Sequence, residues 1–217
     1  MKSLQRELID AMRSMETQGI NQGKAGNGST REQEGFLITP SGVAYAELEE
    51  TDIMNMTLDG QWSGKEGRRP SSEWRFHRDI YRERPDVNAI LHTHGLGVST
   101  LACANRSLPA FHYMVAIAGG TDIQCAEYAT FGTQALSDNV SRALENRKAC
   151  LLAHHGMIAV GNSLKEALTI AIEVEHLARV YWQVLQLGVP ELLTTEQMTA
   201  VLEQFRWGYG DSESSNS

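Results

Sequence analysis

The chain has 217 residues, of which 41% are hydrophobic, and a formal net charge of −8 at pH 7. This length and composition suit a single globular domain that buries most of its apolar surface. The negative charge argues against a general nucleic-acid or membrane-surface binder, because both need basic patches that meet phosphate. A small phosphate ligand is still compatible with it, because a local ring of amides and hydroxyls can hold one.

The first part of the chain predicts a helix, a loop, a strand and a hairpin. Apolar residues recur at helical spacing before a glycine stop, at Leu4, Leu8, Met12, Met15 and Gly19. The glycine-rich run 21–29 predicts a loop, and 35–40 predicts a short strand that ends in a turn. The polar region around Asp59 and Gly60 indicates a hairpin.

The remainder predicts buried strands between helices. A helix is expected from Pro70 to about Tyr81 with a serine at its cap, a strand over 88–94, and another over 149–155 that runs through Gly156 into 157–160. A long helix from Ser163 has a capping box with Glu166 and ends at Gly188, and a last helix begins near Thr194 or Thr195. Because strands and helices lack strict βαβ alternation, we predict one α/β domain with three α/β/α layers around a mixed sheet. The domain is expected over 1–210, with a flexible polar tail over 211–217.

The cysteines and the N-terminus bear on the cellular compartment. Cys103, Cys125 and Cys150 are odd in number and widely spaced, without a Cys-x-x-Cys pair, which predicts buried reduced thiols rather than disulfides or a cysteine-based zinc site. The N-terminal residues do not resemble a signal peptide, and no stretch approaches the roughly 20 apolar residues that span a bilayer. A cytoplasmic protein is therefore expected.

Two histidine pairs indicate a metal site. On a strand, residues two apart point to the same face, so His92 and His94 converge and form half of a tetrahedral zinc site. His154 and His155 end the other apolar run, and because adjacent strand residues face opposite ways, at most one of them joins the first two. A histidine-rich set favours Zn²⁺, or a substitute such as Mn²⁺ or Co²⁺, over magnesium and calcium.

An acidic residue and an anion site are also indicated. Spacing does not select among the carboxylates, but Glu73 lies just inside a helix start, where the helix dipole alone would also favour it. Ser71, Ser72 and the glycine-rich loop are typical of an anion site built from backbone N–H groups, although a simple loop and cap would explain each piece separately. Gly23-Lys24 lacks the spacing of a P-loop, which argues against a kinase or NTPase.

Taken together, seven segments resemble the class II aldolase/epimerase family, in the correct order and over nearly the whole chain to Tyr209. They are residues 21–27, 37–42, 70–74, 92–94, 112–114, 128–133 and 154–156. The resemblance implies a largely antiparallel mixed sheet between helical layers, and a homotetramer with active sites at the subunit interfaces.

The resemblance also implies roles for individual residues. His92, His94 and His155 would bind Zn²⁺, with Glu73 closing the resting coordination sphere before substrate displaces it to act as the acid/base. Tyr113 would reach in from a neighbouring subunit to protonate the aldehyde oxygen. Phosphate-binding positions are matched by Gly26, Asn27, Ser41, Gly42, Ser71 and Ser72, and positions near the aldehyde by Phe131 and Tyr209.

The implied activity is reversible cleavage of a ketose 1-phosphate to dihydroxyacetone phosphate and an aldehyde. L-fuculose 1-phosphate and 5-deoxy- or 5-methylthio-pentulose 1-phosphates are candidate substrates, the latter because the segment after His94 is small and apolar, Gly95-Leu96-Gly97-Val98. The alternatives are an L-ribulose-5-phosphate 4-epimerase type of reaction, dehydration or decarboxylation of a sugar-acid phosphate, and a non-catalytic adducin-like scaffold. Neither a nucleic acid nor a membrane is expected as a partner.

Overall fold

A computed structural model describes residues 2–206 of the chain, in which eight strands form one sheet. They are β1 (Asn27–Glu32), β2 (Gly35–Ile38), β3 (Met54–Thr57), β4 (Trp62–Ser63), β5 (Ala89–Thr93), β6 (Cys125–Ala126), β7 (Ala149–Leu152) and β8 (Gly156–Gly161). Their order across the sheet is β4-β3-β2-β1-β5-β8-β7-β6. Within the described residues the strand pairs are antiparallel except β6 with β7, which is parallel.

Helices cover both faces of this sheet. The α-helices are α1 (Leu4–Thr17), α2 (Trp74–Glu83), α3 (Leu96–Cys103), α4 (Gln134–Ala143), α5 (Leu164–Leu187) and α6 (Thr195–Arg206). Buried side chains of α1, α3 and α5 form one hydrophobic cluster against the sheet, and those of α2 and α4 form a second cluster on the opposite face. The predicted three-layer α/β/α arrangement around a mixed, largely antiparallel sheet is confirmed.

The central strand β5 shows how the sequence produces two cores. Leu91 faces the cluster of α1, α3 and α5, whereas Ile90 faces the cluster of α2 and α4, because successive strand residues point to opposite faces. The strand lies between β1 and β8 and is buried on both faces, and its first three residues are accordingly all apolar. Each fully buried leucine or isoleucine contributes about 1.5–3 kcal/mol. This strand carries His92, the first metal-binding candidate, into the core.

Three local predictions are wrong in detail. The run 149–160 is not one strand but the hairpin of β7 and β8, with His154 and His155 in its turn. The loop predicted over 21–29 ends earlier, because residues from Asn27 onward join the sheet as β1. The residue at the N-cap of α2 is Glu73 rather than a serine, since the segment before it forms a turn in which the amide of Trp74 donates to the carbonyl of Ser71 (3.2 Å).

Some remaining predictions are also met only in part. Ser163 caps α5 as predicted, but Glu166 accepts from the amide of Asn162 rather than completing a capping box with Ser163. The cysteines are free, yet Cys103 is exposed at the end of α3 and only Cys150 is fully buried. No helix in the described range is long and apolar enough to cross a membrane. The predicted tail over 211–217 lies outside the described residues.

Candidate metal centre

The first two histidines lie at the end of β5. The side chain of His92 is buried, and its Nδ1 donates to the carbonyl of Met157 on β8 (2.9 Å), so that its Nε2 lone pair points away from β8. His94 follows just beyond the strand, half-buried, with its Nε2 2.8 Å from the Nε2 of His92. The backbone amide of His94 donates to Asn21 Oδ1 (3.1 Å), which ties this strand end to the loop before β1.

The third histidine comes from the turn of the β7–β8 hairpin. Pairing of Thr93 with Met157 sets this turn beside the end of β5. His154 adopts a left-handed conformation (φ 57°) and is exposed, whereas His155 turns inward. Gly156 permits the approach, because a Cβ there would overlap the carbonyl oxygen of Thr93. The ring centroid of His155 lies 4.7 Å from that of His92 and 4.8 Å from that of His94.

Glu73 completes the cluster from the start of α2. Its Oε2 lies 3.2 Å from His92 Nε2 and accepts a hydrogen bond from Asn27 Nδ2 (3.0 Å). Its Oε1 lies 3.5 Å from His155 Nε2. That oxygen is buried and has no hydrogen-bond donor within residues 2–206. Sequence spacing alone did not select among the carboxylates, and the structure places Glu73 nearest the three imidazoles.

The pKa values of His94, His155 and Glu73 favour ligating protonation states. Burial and the proximity of His92 lower the pKa of His94 to about 3 and that of His155 to about 4. Burial acts to lower the pKa of His92, but the carboxylate of Glu73 outweighs it and raises that pKa. Burial likewise acts to raise the pKa of Glu73, but His92 outweighs it and lowers the value to about 2. His94 and His155 are therefore neutral, and Glu73 is an anion.

The donor set fits a divalent transition metal. Three histidine nitrogens lie within 4.8 Å of one another. A carboxylate oxygen that is buried and lacks a hydrogen bond is costly unless a cation or a proton donor approaches it. Three imidazoles with one carboxylate suit zinc better than magnesium or calcium, which prefer oxygen ligands. Among the described residues, His92, His94 and His155 are the group that can hold a metal ion.

The segments predicted to bind phosphate meet beside this centre. The amide of Gly28 donates to Thr39 Oγ1 (3.2 Å), and the amide of Ser71 donates to the carbonyl of Thr39 (3.0 Å). Ser41, Gly42 and Ser72 are exposed, whereas Ser71 is buried. Asn27 differs from the other predicted phosphate ligands, because both ends of its side-chain amide already bond to protein groups. Phosphate binding by these residues stays a prediction.

The residues predicted at the aldehyde end lie on the surface. Phe131 is exposed, and Gly132 beside it packs against the backbone of Ser72, so this loop borders the phosphate segments. Tyr113 is 42% exposed at the start of a 3-10 helix over 113–118 and stacks on His112 at 4.9 Å. Its predicted role in a neighbouring subunit's site stays a prediction, and Tyr209 lies outside the described residues.

Sequence reasoning missed the residues that support the ligands. His77 and Tyr81 follow Glu73 at intervals of four, so a polar stripe on α2 faces the sheet, and this spacing was a readable signal. Glu175 on α5 was not readable, because its role depends on the packing of distant elements. Its carboxylate accepts from the amides of Gly97 (2.8 Å) and Val98 (2.9 Å) and thereby caps α3, directly after His94.

Comparisons with known proteins agree with this fold. Residues 6–182 match the model of the class II aldolase and adducin N-terminal domain. A 5-methylthioribulose-1-phosphate/5-deoxyribulose-1-phosphate aldolase of Rhodospirillum rubrum is 54% identical over 97% of this chain and 94% of its own length. An L-fuculose phosphate aldolase of Escherichia coli is 49% identical over 94% of each chain. The solved structure of an L-fuculose 1-phosphate aldolase superposes with a TM-score of 0.90 at 39% identity, covering 95% of this chain and 98% of the other.

The chain therefore belongs to the class II aldolase and adducin family, as its sequence motifs predicted. Its similarity to aldolases extends over almost its full length, so the predicted enzyme class is confirmed as well: it is a class II aldolase, a lyase.

Proposed function

We propose that the protein is a Zn²⁺-dependent aldolase that reversibly splits a ketose 1-phosphate into dihydroxyacetone phosphate and an aldehyde. The observation that carries this proposal is the cluster of three imidazoles beside the buried carboxylate of Glu73, one oxygen of which lacks a hydrogen bond. His92, His94 and His155 would hold the metal, with Glu73 as the resting fourth ligand. When bound, the metal would supply positive charge to stabilise the negative charge that develops on the ketose oxygens.

Glu73 is placed to move a proton. Its lowered pKa keeps it as a carboxylate, which is the basic form. In the synthetic direction, it takes a proton from the carbon beside the carbonyl of dihydroxyacetone phosphate. The electron pair of that C–H bond forms the new carbon–carbon bond, and the aldehyde π pair moves to the aldehyde oxygen. Tyr113 of a neighbouring subunit gives this oxygen its proton, so that it becomes a hydroxyl group.

The phosphate is held away from the reacting carbons. The glycine-rich turn at Gly26, the turn at Ser41 and Gly42, and the pair Ser71 and Ser72 offer amides and hydroxyls to it. These segments are joined by hydrogen bonds through Thr39, so their relative positions are fixed before substrate binds. Binding energy from the phosphate then positions the carbon chain at Glu73.

The aldehyde end favours an apolar group. Leu96 is 72% exposed two residues after His94, and it is flanked by Gly95 and Gly97. A 5-methylthio- or 5-deoxy-pentulose 1-phosphate releases a less polar aldehyde than L-fuculose 1-phosphate does. The name of the relative from Rhodospirillum rubrum supports the same preference. We therefore place these two substrates ahead of L-fuculose 1-phosphate.

A substrate panel tests the proposal. The purified protein is incubated with the three ketose 1-phosphates and with L-ribulose 5-phosphate, and released dihydroxyacetone phosphate is measured. We expect release from the ketose 1-phosphates, loss of activity after chelation, and recovery with Zn²⁺. Glu73→Gln should lower kcat by at least about 10²-fold, because a general base is lost. Glu203→Gln, an exposed change on α6, is the control that should leave activity unchanged.

Three results would contradict the proposal. Epimerised pentulose phosphate without dihydroxyacetone phosphate would assign the protein to the epimerase reaction. Turnover by Glu73→Gln within a few-fold of wild type would remove Glu73 as the base. Protein purified without chelator that lacks a stoichiometric divalent transition metal would argue against the metal site.

A further inference from the structure

A chain of four buried hydrogen bonds runs from Glu73 into the interface between α2 and β1. Asn27 Nδ2 lies 3.0 Å from Glu73 Oε2, and the Oδ1 of the same amide lies 2.5 Å from His77 Nε2. His77 Nδ1 lies 2.7 Å from Ser29 Oγ, which lies 2.8 Å from the hydroxyl of Tyr81. These five side chains are at most 7% exposed. Water therefore has no ready access to replace a missing partner.

In this series of four hydrogen bonds, each donor N–H or O–H points along the series toward Glu73. The ionised carboxylate only accepts, so the Asn27 amide donates its N–H to Oε2 and accepts through Oδ1. His77 Nε2 must then carry a hydrogen, and the neutral ring accepts at Nδ1 from the hydroxyl of Ser29. Burial and the nearby His92 lower the pKa of His77 to about 3, so its ring is neutral. Ser29 in turn accepts from the hydroxyl of Tyr81, so the donors run in one direction from Tyr81 to Glu73.

This arrangement separates the two oxygens of the carboxylate. Oε2 accepts a hydrogen bond from Asn27 and lies 3.2 Å from His92 Nε2, whereas Oε1 is buried with no hydrogen bond to any described residue. Glu73 lies at the N-cap of α2, outside the helix itself, and its side chain makes no capping hydrogen bond. Without the bond from Asn27, the carboxyl group could rotate and exchange its oxygens.

We propose that Asn27 and His77 are positioning residues that fix the rotation of the Glu73 carboxyl group and thereby present Oε1 to the proton it transfers. The inference rests on the proposed role of Glu73 as the base. It gives His77 a function although its ring does not touch the substrate. It also assigns the Asn27 side chain to the carboxylate rather than to the phosphate.

Two variants of His77 separate its two ring nitrogens. The amide of glutamine reaches the place of Nε2, so His77→Gln keeps the donor to Asn27. The shorter amide of asparagine reaches the place of Nδ1, so His77→Asn keeps a partner for Ser29 but loses that donor. Both variants lose the imidazole and carry the same functional group. The matched control is Ser137→Ala, which removes a buried hydroxyl that donates to Asp79 (2.8 Å) and belongs to a separate network on the same face of the sheet.

We expect His77→Asn to lower kcat by about 10- to 100-fold with KM within about twofold, because a misplacement of about 1 Å at the reacting group has effects of that size. His77→Gln should retain kcat within about threefold. Ser137→Ala should leave kcat unchanged, although it lowers the melting temperature. A readout without turnover is the visible spectrum of Co²⁺-loaded protein. His77→Asn should alter the spectrum, because the carboxylate near the metal moves, whereas His77→Gln and Ser137→Ala should preserve it.

The proposal is overturned if folded His77→Asn keeps the kcat and the Co²⁺ spectrum of wild type, or if His77→Gln falls as low as His77→Asn. If His77→Asn does not fold, Ser29→Ala replaces it, since freeing Nδ1 lets the ring adopt the other tautomer. Wild-type kcat in Ser29→Ala would then count against the proposal. If instead the proposed role of Glu73 as the base is wrong, Glu73→Gln would keep its turnover, which distinguishes that failure from failure of the positioning proposal. In that case the Co²⁺ spectra still decide whether His77 positions the carboxylate.

Discussion

At the residue scale, Gly26 shows how closely the loop before β1 approaches the metal ligands. Gly26 has φ of +74°, and a Cβ there would overlap the carbonyl oxygen of His92. Gly42 has nearly the same φ, +75°, but a Cβ there would meet no atom within 4 Å. The two positions therefore share the cost of left-handed backbone and differ in the steric contact.

We predict that Gly26→Ala destabilises the protein more than Gly42→Ala does. The left-handed conformation costs each variant about 1–2 kcal/mol. Gly26→Ala must in addition displace β5 or Asn21, which raises its cost and lowers metal content by moving His92. Urea denaturation and metal analysis of both variants measure the difference. Equal unfolding free energies would show that the contact with His92 relaxes freely.

Residue spacing in the sequence predicted some of the metal ligands but not the choice between His154 and His155 or the partners of Glu73. The convergence of His92 and His94 followed from strand periodicity, and the structure brings them together. The choice between His154 and His155 was not derivable from alternation, because the pair lies in a turn where strand geometry does not apply. The partners of Glu73 were also hidden, since they come from β1, nearly fifty residues earlier in the chain.

At the element scale, apolar periodicity placed the helices and the central strand well. It could not separate β7 from β8, because the residues of the hairpin are buried on both faces and the apolar run continues on both sides of the turn. The same limit applied to β1, whose polar residues are buried rather than exposed in a loop, with Ser29 bonded to His77 and Tyr81 of α2. Tertiary pairing, rather than local preference, decided both elements.

Asp52 joins the segment before β3 to the segment after β4. Its side chain is 1% exposed and accepts from Arg68 Nε (2.8 Å) and Lys65 Nζ (3.1 Å). Burial acts to raise its pKa, but the amide of Glu49 and the two cations outweigh burial and lower the pKa. A lowered pKa in the folded state stabilises the protein above the unfolded value of about 3.9, and this contribution is lost as the pH falls through the folded pKa.

We predict that Asp52→Asn costs about 1–3 kcal/mol at neutral pH, because charged hydrogen bonds are lost. Its stability should also fall less steeply than that of wild type below about pH 4. Asp86→Asn is the control, since Asp86 pairs with Arg84 but is 60% exposed, and it should cost at most about 1 kcal/mol. Unfolding free energies measured from pH 7 down to 3 compare the variants. If the unfolding free energies of wild type and Asp52→Asn fall equally steeply as the pH is lowered, the ionised Asp52 does not stabilise the fold in this way.

At the scale of the whole molecule, the proposed site requires more than one chain. Tyr113 is exposed on its own subunit, and in the proposed chemistry it gives its proton to the aldehyde oxygen in a neighbouring subunit's site, where Glu73 is the base. Variants that each lack one of these residues should therefore complement each other when subunits mix.

We predict that mixed tetramers of Glu73→Gln and Tyr113→Phe regain about a quarter of wild-type activity, since random mixing joins an intact Glu73 to an intact Tyr113 at that fraction of interfaces. The two differently tagged variants are co-expressed, purified through both tags and assayed, with light scattering to verify a mass of four chains. Each variant alone is the control. Activity equal to the mean of the two parents would show that each site lies within one subunit.

The β5–β8 pairing joins ligands that lie far apart in the chain. His92 and His155 are separated by roughly sixty residues, and they meet only when the hairpin turn is in register with the end of β5. The metal site therefore requires the long-range strand pairing that brings these ligands together. A bound ion would bridge two parts of the sheet and oppose their separation, so metal release and sheet opening become linked equilibria. The chelator concentration that removes the metal should consequently depend on urea concentration well below the unfolding midpoint.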